Sequence, residues 1–245
     1  MHKRAESWLF MNINLIKKVF VWFLLPFFTL NVNAQSEIYC KEYEKSCQKA
    51  KAFFTEHKSK LENSAKTCGL SAEFLFAVVA PEITQFSYLS NKAETYSLKV
   101  FYVQNGKAYS DFSIGVFQMK PSFIEALEDY INADTILKVK YKKNLFEKPN
   151  ERQARVSRIE RLDNAEWQIE YLEVFCTVVN HKFADVNFAT EEEKLRFYAN
   201  AYNSGFQKSE QQIKAIGQKA LFPHFSRQKF KYSDIAVWFY GEMFE

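Results

Sequence analysis

The sequence predicts a mainly helical domain that carries one small β-hairpin lobe. Three observations lead there. The 245 residues hold only 6 Gly and 5 Pro against 47% apolar residues, so chain breakers are too sparse for a turn-rich β fold. Stretches with helical periodicity and recognisable caps follow one another through most of the chain. A single Asn-Gly step, Asn105-Gly106, lies between two short runs rich in Val, Phe and Tyr. That pattern suits a type I′ hairpin over residues 98–112.

Residues 1–34 read as an export signal. Lys17 and Lys18 precede an apolar run from Val19 to Leu30, and Val32-Asn33-Ala34 supplies small residues for cleavage after Ala34. The run is about a dozen residues, short of the roughly 20 that span a bilayer, though an uncleaved anchor is the alternative. Met11 begins a complete signal by itself. No Cys follows the small residues at once, so a lipid-modified N-terminus is not indicated. The segment carries Lys3, Arg4, Lys17 and Lys18 against Glu6, so its removal takes the formal net charge from +4 to about +1. A nearly neutral mature chain gives no reason to expect nucleic acid as a partner.

From Glu37 to about Glu62 the residues are charged and helix-favouring, with Tyr39, Tyr43, Cys47 and Phe54 forming one apolar face. Residues 35–69 thus form a helical extension at the front of a domain spanning 35–245. Cys68-Gly69 breaks it, and Ser71 caps a nearly all-apolar helix, Phe74 to Ala80, of the kind that belongs in a core. Pro81 is expected to bend or end that helix, leaving Glu82 at its mouth. After the hairpin, helices are expected from Pro121 to about Ile131, from Arg152 to about His181, and from Thr190-Glu191 to Asn203-Ser204-Gly205. A last one is expected from Ser233-Asp234 to near Phe244. Residues 132–150 give no clear pattern.

Four cysteines, Cys40, Cys47, Cys68 and Cys176, allow two disulfides in an exported chain, with four buried thiols as the alternative. On one straight helix Cys40 and Cys47 would lie roughly 10 Å apart, too far to bridge, so each would need Cys68 or Cys176. Neither the Cys spacing nor the four scattered His suits a structural zinc, and no metal or other cofactor is expected.

Chemistry concentrates in three places. The first is Glu82, the second is Ser113-Ile114-Gly115-Val116-Phe117-Gln118-Met119-Lys120-Pro121, and the third is Ala201-Tyr202-Asn203-Ser204-Gly205. Each puts polar side chains beside a small residue at a helix boundary, where they can face a cleft. A Glu among Phe and Val side chains is kept protonated by desolvation, the state glycosidic cleavage requires of its acid. Taken singly, each has a plainer reading: a surface charge, an ordinary core turn, a helix stop.

In this order the three segments resemble the signature motifs of the lytic transglycosylases in the lysozyme-like superfamily. Those motifs are a Glu ending a buried helix, then Ser-x-Gly-Leu-x-Gln-Ile/Met-x-Pro, then Ala-Tyr-Asn-Ala/Ser-Gly. Gly115, Gln118, Met119 and Pro121 match the second, and Ala201 to Gly205 match the third unchanged. Trp167, Tyr171 and Leu172 resemble the helix that precedes the third, and the likeness spans roughly residues 70–206. The resemblance implies a lysozyme-like α+β fold and cleavage of peptidoglycan between N-acetylmuramic acid and N-acetylglucosamine, in the periplasm or outside the cell. It makes Glu82 the general acid and then the general base. Gln118 and Met119 would line the subsites, Tyr202 would hydrogen-bond the Glu or the sugar, and Asn203 would hold the saccharide or shape the loop.

Departures point to alternatives. Ile83 stands where the family has Ser, Pro81 precedes the Glu, and the gap to Gly115 exceeds the family's common spacing. In that gap Asp111, with Glu94 behind it, is the candidate second carboxylate of a hydrolytic, lysozyme-type enzyme. For Asp111 the simpler role is to hydrogen-bond the backbone at a turn. A non-catalytic glycan-binding or scaffold protein within a cell-envelope assembly is the other alternative.

Overall fold

The computed structural model describes residues 36–86, 92–146, 150–224 and 226–243, with the backbone alone at 92–95. The proposed signal, residues 1–34, lies outside them. The chain is mainly helical, and the described residues contain no strand, only the isolated bridges Ile114–Met119 and Phe222–Phe230. Among them no single helix is long and apolar enough to cross a membrane.

The chain begins with a short helix, α1 (residues 36–42), and the long α2 (Glu44–Thr67). They do not form one straight rod. Tyr43 leaves helical geometry at φ −110°, ψ 34°, and the bend brings the Cα atoms of Cys40 and Cys47 to 5.9 Å, where they form a disulfide. The expectation that each would pair elsewhere is therefore wrong, because it assumed an unbroken helix. Cys68 and Cys176 are free and buried, and the Cys68 thiol donates to the Ser64 carbonyl at 3.1 Å. Tyr39, Cys47, Phe54, Leu61 and Ala65 all lie in the core, so this extension is part of the domain's own interior.

α3 (Ala72–Phe86) runs through the middle of the molecule, packed by α2, α9 and α11, with every side chain from Phe74 to Pro81 buried. Ser71 caps it as expected, accepting from the Phe74 amide at 3.0 Å. Pro81 does not end it. A proline inside a helix removes one backbone bond and costs about 3 kcal/mol. Burial of an apolar helix on all sides outweighs that loss, and the Thr84 hydroxyl donates to the Pro81 carbonyl at 2.6 Å. Glu82 thus lies within the last turns of a continuous helix.

The expected hairpin is replaced by α4 (Lys92–Asn105). Gly106, at φ 79°, stops this helix, and its amide donates to the Tyr102 carbonyl at 2.7 Å. Asn-Gly serves both structures for one reason: each needs a left-handed backbone at that point. Long-range contacts choose the helix. The Tyr102 hydroxyl donates to Glu125 at 2.7 Å and accepts from Arg158 at 2.5 Å, and Arg158 also grips Glu128 at 2.6 and 3.0 Å. These bonds tie α4 to α5 (Pro121–Ala133) and α7 (Glu151–Leu162).

The unassigned stretch after α5 holds α6 (Thr135–Lys140), capped by Asp134, and a 3-10 turn, Lys142–Asn144. The long helix expected over 152–181 is two, α7 and α8 (Ala165–Lys182). Asn164 separates them because its side chain accepts from the Trp167 amide at 3.1 Å and so starts a new helix. α9 (Glu191–Ser204) opens on Thr190 and stops at Gly205 as expected. α10 (Glu210–Gly217), begun by a Ser209/Gln212 capping box, occupies a stretch read only as polar. α11 (Tyr232–Glu242) follows, with Asp234 in its first turn paired to Arg196 of α9.

Candidate active site

Glu82, the Gln118 loop and the end of α9 converge on one cavity of about 760 Å³. All five residues singled out in the sequence, Glu82, Gln118, Met119, Tyr202 and Asn203, line it. Gln118 and Met119, which line the cavity, belong to the turn from Ile114 to Met119, closed by two backbone bonds between those end residues at 2.9 and 3.1 Å.

That turn is stapled from below by a residue the sequence reading passed over. Gln168 of α8 is fully buried. Its Oε1 accepts from the Phe117 amide at 2.7 Å, and its Nε2 donates to the Ile114 and Leu162 carbonyls at 2.8 and 2.7 Å. Gly115 is the point of closest approach. It sits at φ 69°, and a Cβ there would come within 2.0 Å of the Gln168 amide nitrogen and 2.4 Å of the Leu162 carbonyl. The only sequence signal for Gln168 is a lone amide between two apolar residues, Trp167 and Ile169, and that is common.

Gln118 takes a left-handed backbone at φ 50°, and its Nε2 donates to the Gly115 carbonyl at 2.8 Å. Held this way, its side chain faces the cavity with its carbonyl oxygen left for a ligand. A non-glycine residue in this region carries strain on the order of 1 kcal/mol, which the surrounding bonds must hold. Met119 is buried beneath the cavity surface. Among the described residues no protein group bonds the Asn203 side chain, so both its donor and its acceptor are open to a ligand.

Burial raises the pKa of three tyrosines, Tyr39, Tyr202 and Tyr232, and each lies close enough to Glu82 for its charge to add to the shift. None of them gives Glu82 its proton. Tyr202 donates to the Phe117 carbonyl at 2.7 Å and Tyr232 to the Val78 carbonyl at 3.0 Å. Tyr39 is hydrogen-bonded to the Thr84 hydroxyl, whose own proton goes to Pro81, so Tyr39 is the donor there. Of the two roles expected for Tyr202, a bond to Glu82 or to the sugar, the first is not formed among the described residues; Tyr202 ties the third motif to the second.

This leaves Glu82 with no hydrogen bond or ion pair among the described residues. Desolvation acts unopposed on the carboxyl and pushes its pKa up to about 8. At neutral pH the group is mostly the neutral acid. Asp111 also lines the cavity, but both its oxygens are engaged. Oδ1 accepts from the Ser122 amide at 3.0 Å and Oδ2 from the Ser122 hydroxyl at 2.8 Å. Lys120, the N-cap of α5, offers no side-chain acceptor, and Asp111 fills that role from outside the helix. This is the backbone-bonding role weighed for it from sequence. Glu94 falls in α4 where side chains are not described.

Lys208 and His224, which the sequence reading did not single out, also line the cavity. The Lys208 ammonium is bonded to the Ser204 carbonyl and so shapes the loop after α9. Among the described residues no three His, Cys, Asp or Glu converge as a metal site requires. No protein-family model, curated protein or solved structure matches the chain.

Proposed function

We propose that the chain is an exported, lysozyme-like lytic transglycosylase that cleaves the N-acetylmuramic acid–N-acetylglucosamine bond of peptidoglycan. The observation that carries this reading is Glu82, a carboxyl group with no hydrogen-bond or ion-pair partner among the described residues, lining one open cavity with the amide side chains of Gln118 and Asn203. Glu82 gives its proton to the glycosidic oxygen as the bond to the anomeric carbon breaks. The substrate's N-acetyl group assists departure. The Glu82 carboxylate then takes the proton of the 6-hydroxyl, whose oxygen closes the anhydro ring and restores the acid. Gln118 and Asn203 hold the saccharide, and the reaction asks for no cofactor.

The state of Asp111 favours this route over hydrolysis. A lysozyme-type mechanism uses a second carboxylate to stabilise the cation or direct a water, and the two oxygens of Asp111 are committed to the start of α5. Mass spectrometry of purified peptidoglycan digested by the protein separates the readings. The expected products are anhydro-muropeptides. Reducing ends would mean hydrolysis and return a role to Asp111. No release beyond that of a Glu82→Gln variant would overturn the catalytic reading and leave glycan binding as the function.

A further inference from the structure

We propose that α6 and the turn after it form a docking surface for an anionic lipid bilayer. Ile136 and Val139 are the most exposed large aliphatic side chains among the described residues, at 77% and 81%. They lie three positions apart, and so on one face of α6. The same helix anchors itself through Leu137, on the inward side, and through Tyr141 just beyond its end, both buried. Burial needs did not place Ile136 and Val139 outside; the fold leaves them there.

Lysines flank this pair, with Asp134 at the start of the helix the acid nearest to it in sequence. Lys138, Lys140 and Lys142 are exposed on α6 and the following turn. The Lys140 ammonium reaches the Thr67 carbonyl at 3.3 Å, which brings the end of α2 and its exposed Lys66 alongside. Two of the nearby acids are engaged within the fold. Asp134 caps the first amides of α6, and Glu170 pairs with Lys60 and Lys143 at 3.1 and 2.8 Å. Two aliphatic side chains ringed by lysines match the interface of an anionic bilayer, where the apolar tips enter and the ammonium groups meet headgroups. A soluble polyanion would use the lysines but gain nothing from the exposed Ile and Val.

The placement suits a protein that works beside a membrane. The start of α5 lines the cavity, through Lys120, Ser122 and Phe123, while α6 follows its far end. Thirteen helical residues separate the two by about 20 Å, so a docked α6 leaves the cavity open. This inference stands apart from the proposed activity and holds for any ligand of that cavity.

The test uses the full chain carrying a polarity-sensitive dye on Val139→Cys. The native thiols are either bridged or buried, so labelling is specific. A second protein carries the dye on Lys219→Cys, an exposed position near α10. With vesicles of phosphatidylglycerol and phosphatidylcholine the Val139 dye is expected to blue-shift and the Lys219 dye to stay unshifted. Each lysine near an anionic surface contributes about fivefold in affinity, so Lys66→Gln/Lys138→Gln is expected to weaken the interaction by about 25-fold. Equal shifts at the two dye positions, as tethering by residues 1–34 alone would give, would overturn the proposal. So would an equal response to pure phosphatidylcholine, or a shift that grows with protein concentration without vesicles, the mark of self-association.

Discussion

Glu82→Gln is expected to lower peptidoglycan cleavage by about 10²- to 10⁴-fold, the range a positioned general acid supplies, while the protein stays folded. The amide keeps the size of the side chain and loses only the proton that can be given away. Stability should respond in the opposite direction. In the unfolded chain Glu82 ionises near 4.5, and in the folded one near 8. Between those values the unfolded state releases the proton and the folded state keeps it, so this group lowers stability as pH rises, by about 1.4 kcal/mol per pH unit. The Gln variant lacks that slope. Denaturant melts should show the two proteins nearly equal at pH 5, with the variant more stable by an amount that grows to pH 8 and then levels. A variant that loses activity and stability together would show that Glu82 supports the fold.

Gly115→Ala is expected to be strongly destabilising. The left-handed backbone costs a Cβ about 1 kcal/mol. The new methyl would also overlap Gln168, which must then give up bonds to Ile114, Leu162 and Phe117 in a buried setting. Leaving such groups unsatisfied costs about 1–3 kcal/mol each, so a loss on the order of 4 kcal/mol is expected in denaturant melts. The turn that presents Gln118 would lose its position with it. Gln168→Leu separates the two effects: it removes the bonds without adding the methyl, and should destabilise by a smaller amount, near 3 kcal/mol. If Gly115→Ala melts within 1 kcal/mol of the parent, the closeness of α8 to the turn is not what holds it.

Much of the site was legible because its signals are local. Ser71 just before the apolar run from Phe74 to Ala80 marks a buried helix, and Gly205 after Asn203-Ser204 marks the stop of α9, whatever surrounds them. Gln118, Met119, Tyr202 and Asn203 were found in the same way, each close to a break, whereas Lys208 and His224 carry no such signal. What failed depended on partners distant in sequence. The Val-Phe-Tyr-Val run before Asn105 prefers a strand by composition, but Tyr102 has Arg158 and Glu125 waiting on other helices. Pro81 reads as a helix end only where the rest of the helix is not held on every side. Cys40 and Cys47 seemed too far apart because nothing in Tyr43 announces a bend. The three tyrosine protons diverted from Glu82 were likewise beyond reach, since each goes to an acceptor fixed by the tertiary structure.

The most direct measurement is the titration of Glu82 itself, followed through its side-chain carboxyl carbon by NMR, with Glu82→Gln assigning the resonance. A midpoint near 8 is expected, from burial without a hydrogen-bonding partner. A midpoint near the ordinary 4.5 would mean that water or a donor reaches the carboxylate. Glu82 would then be ionised at neutral pH, and the general-acid role proposed for it would be contradicted.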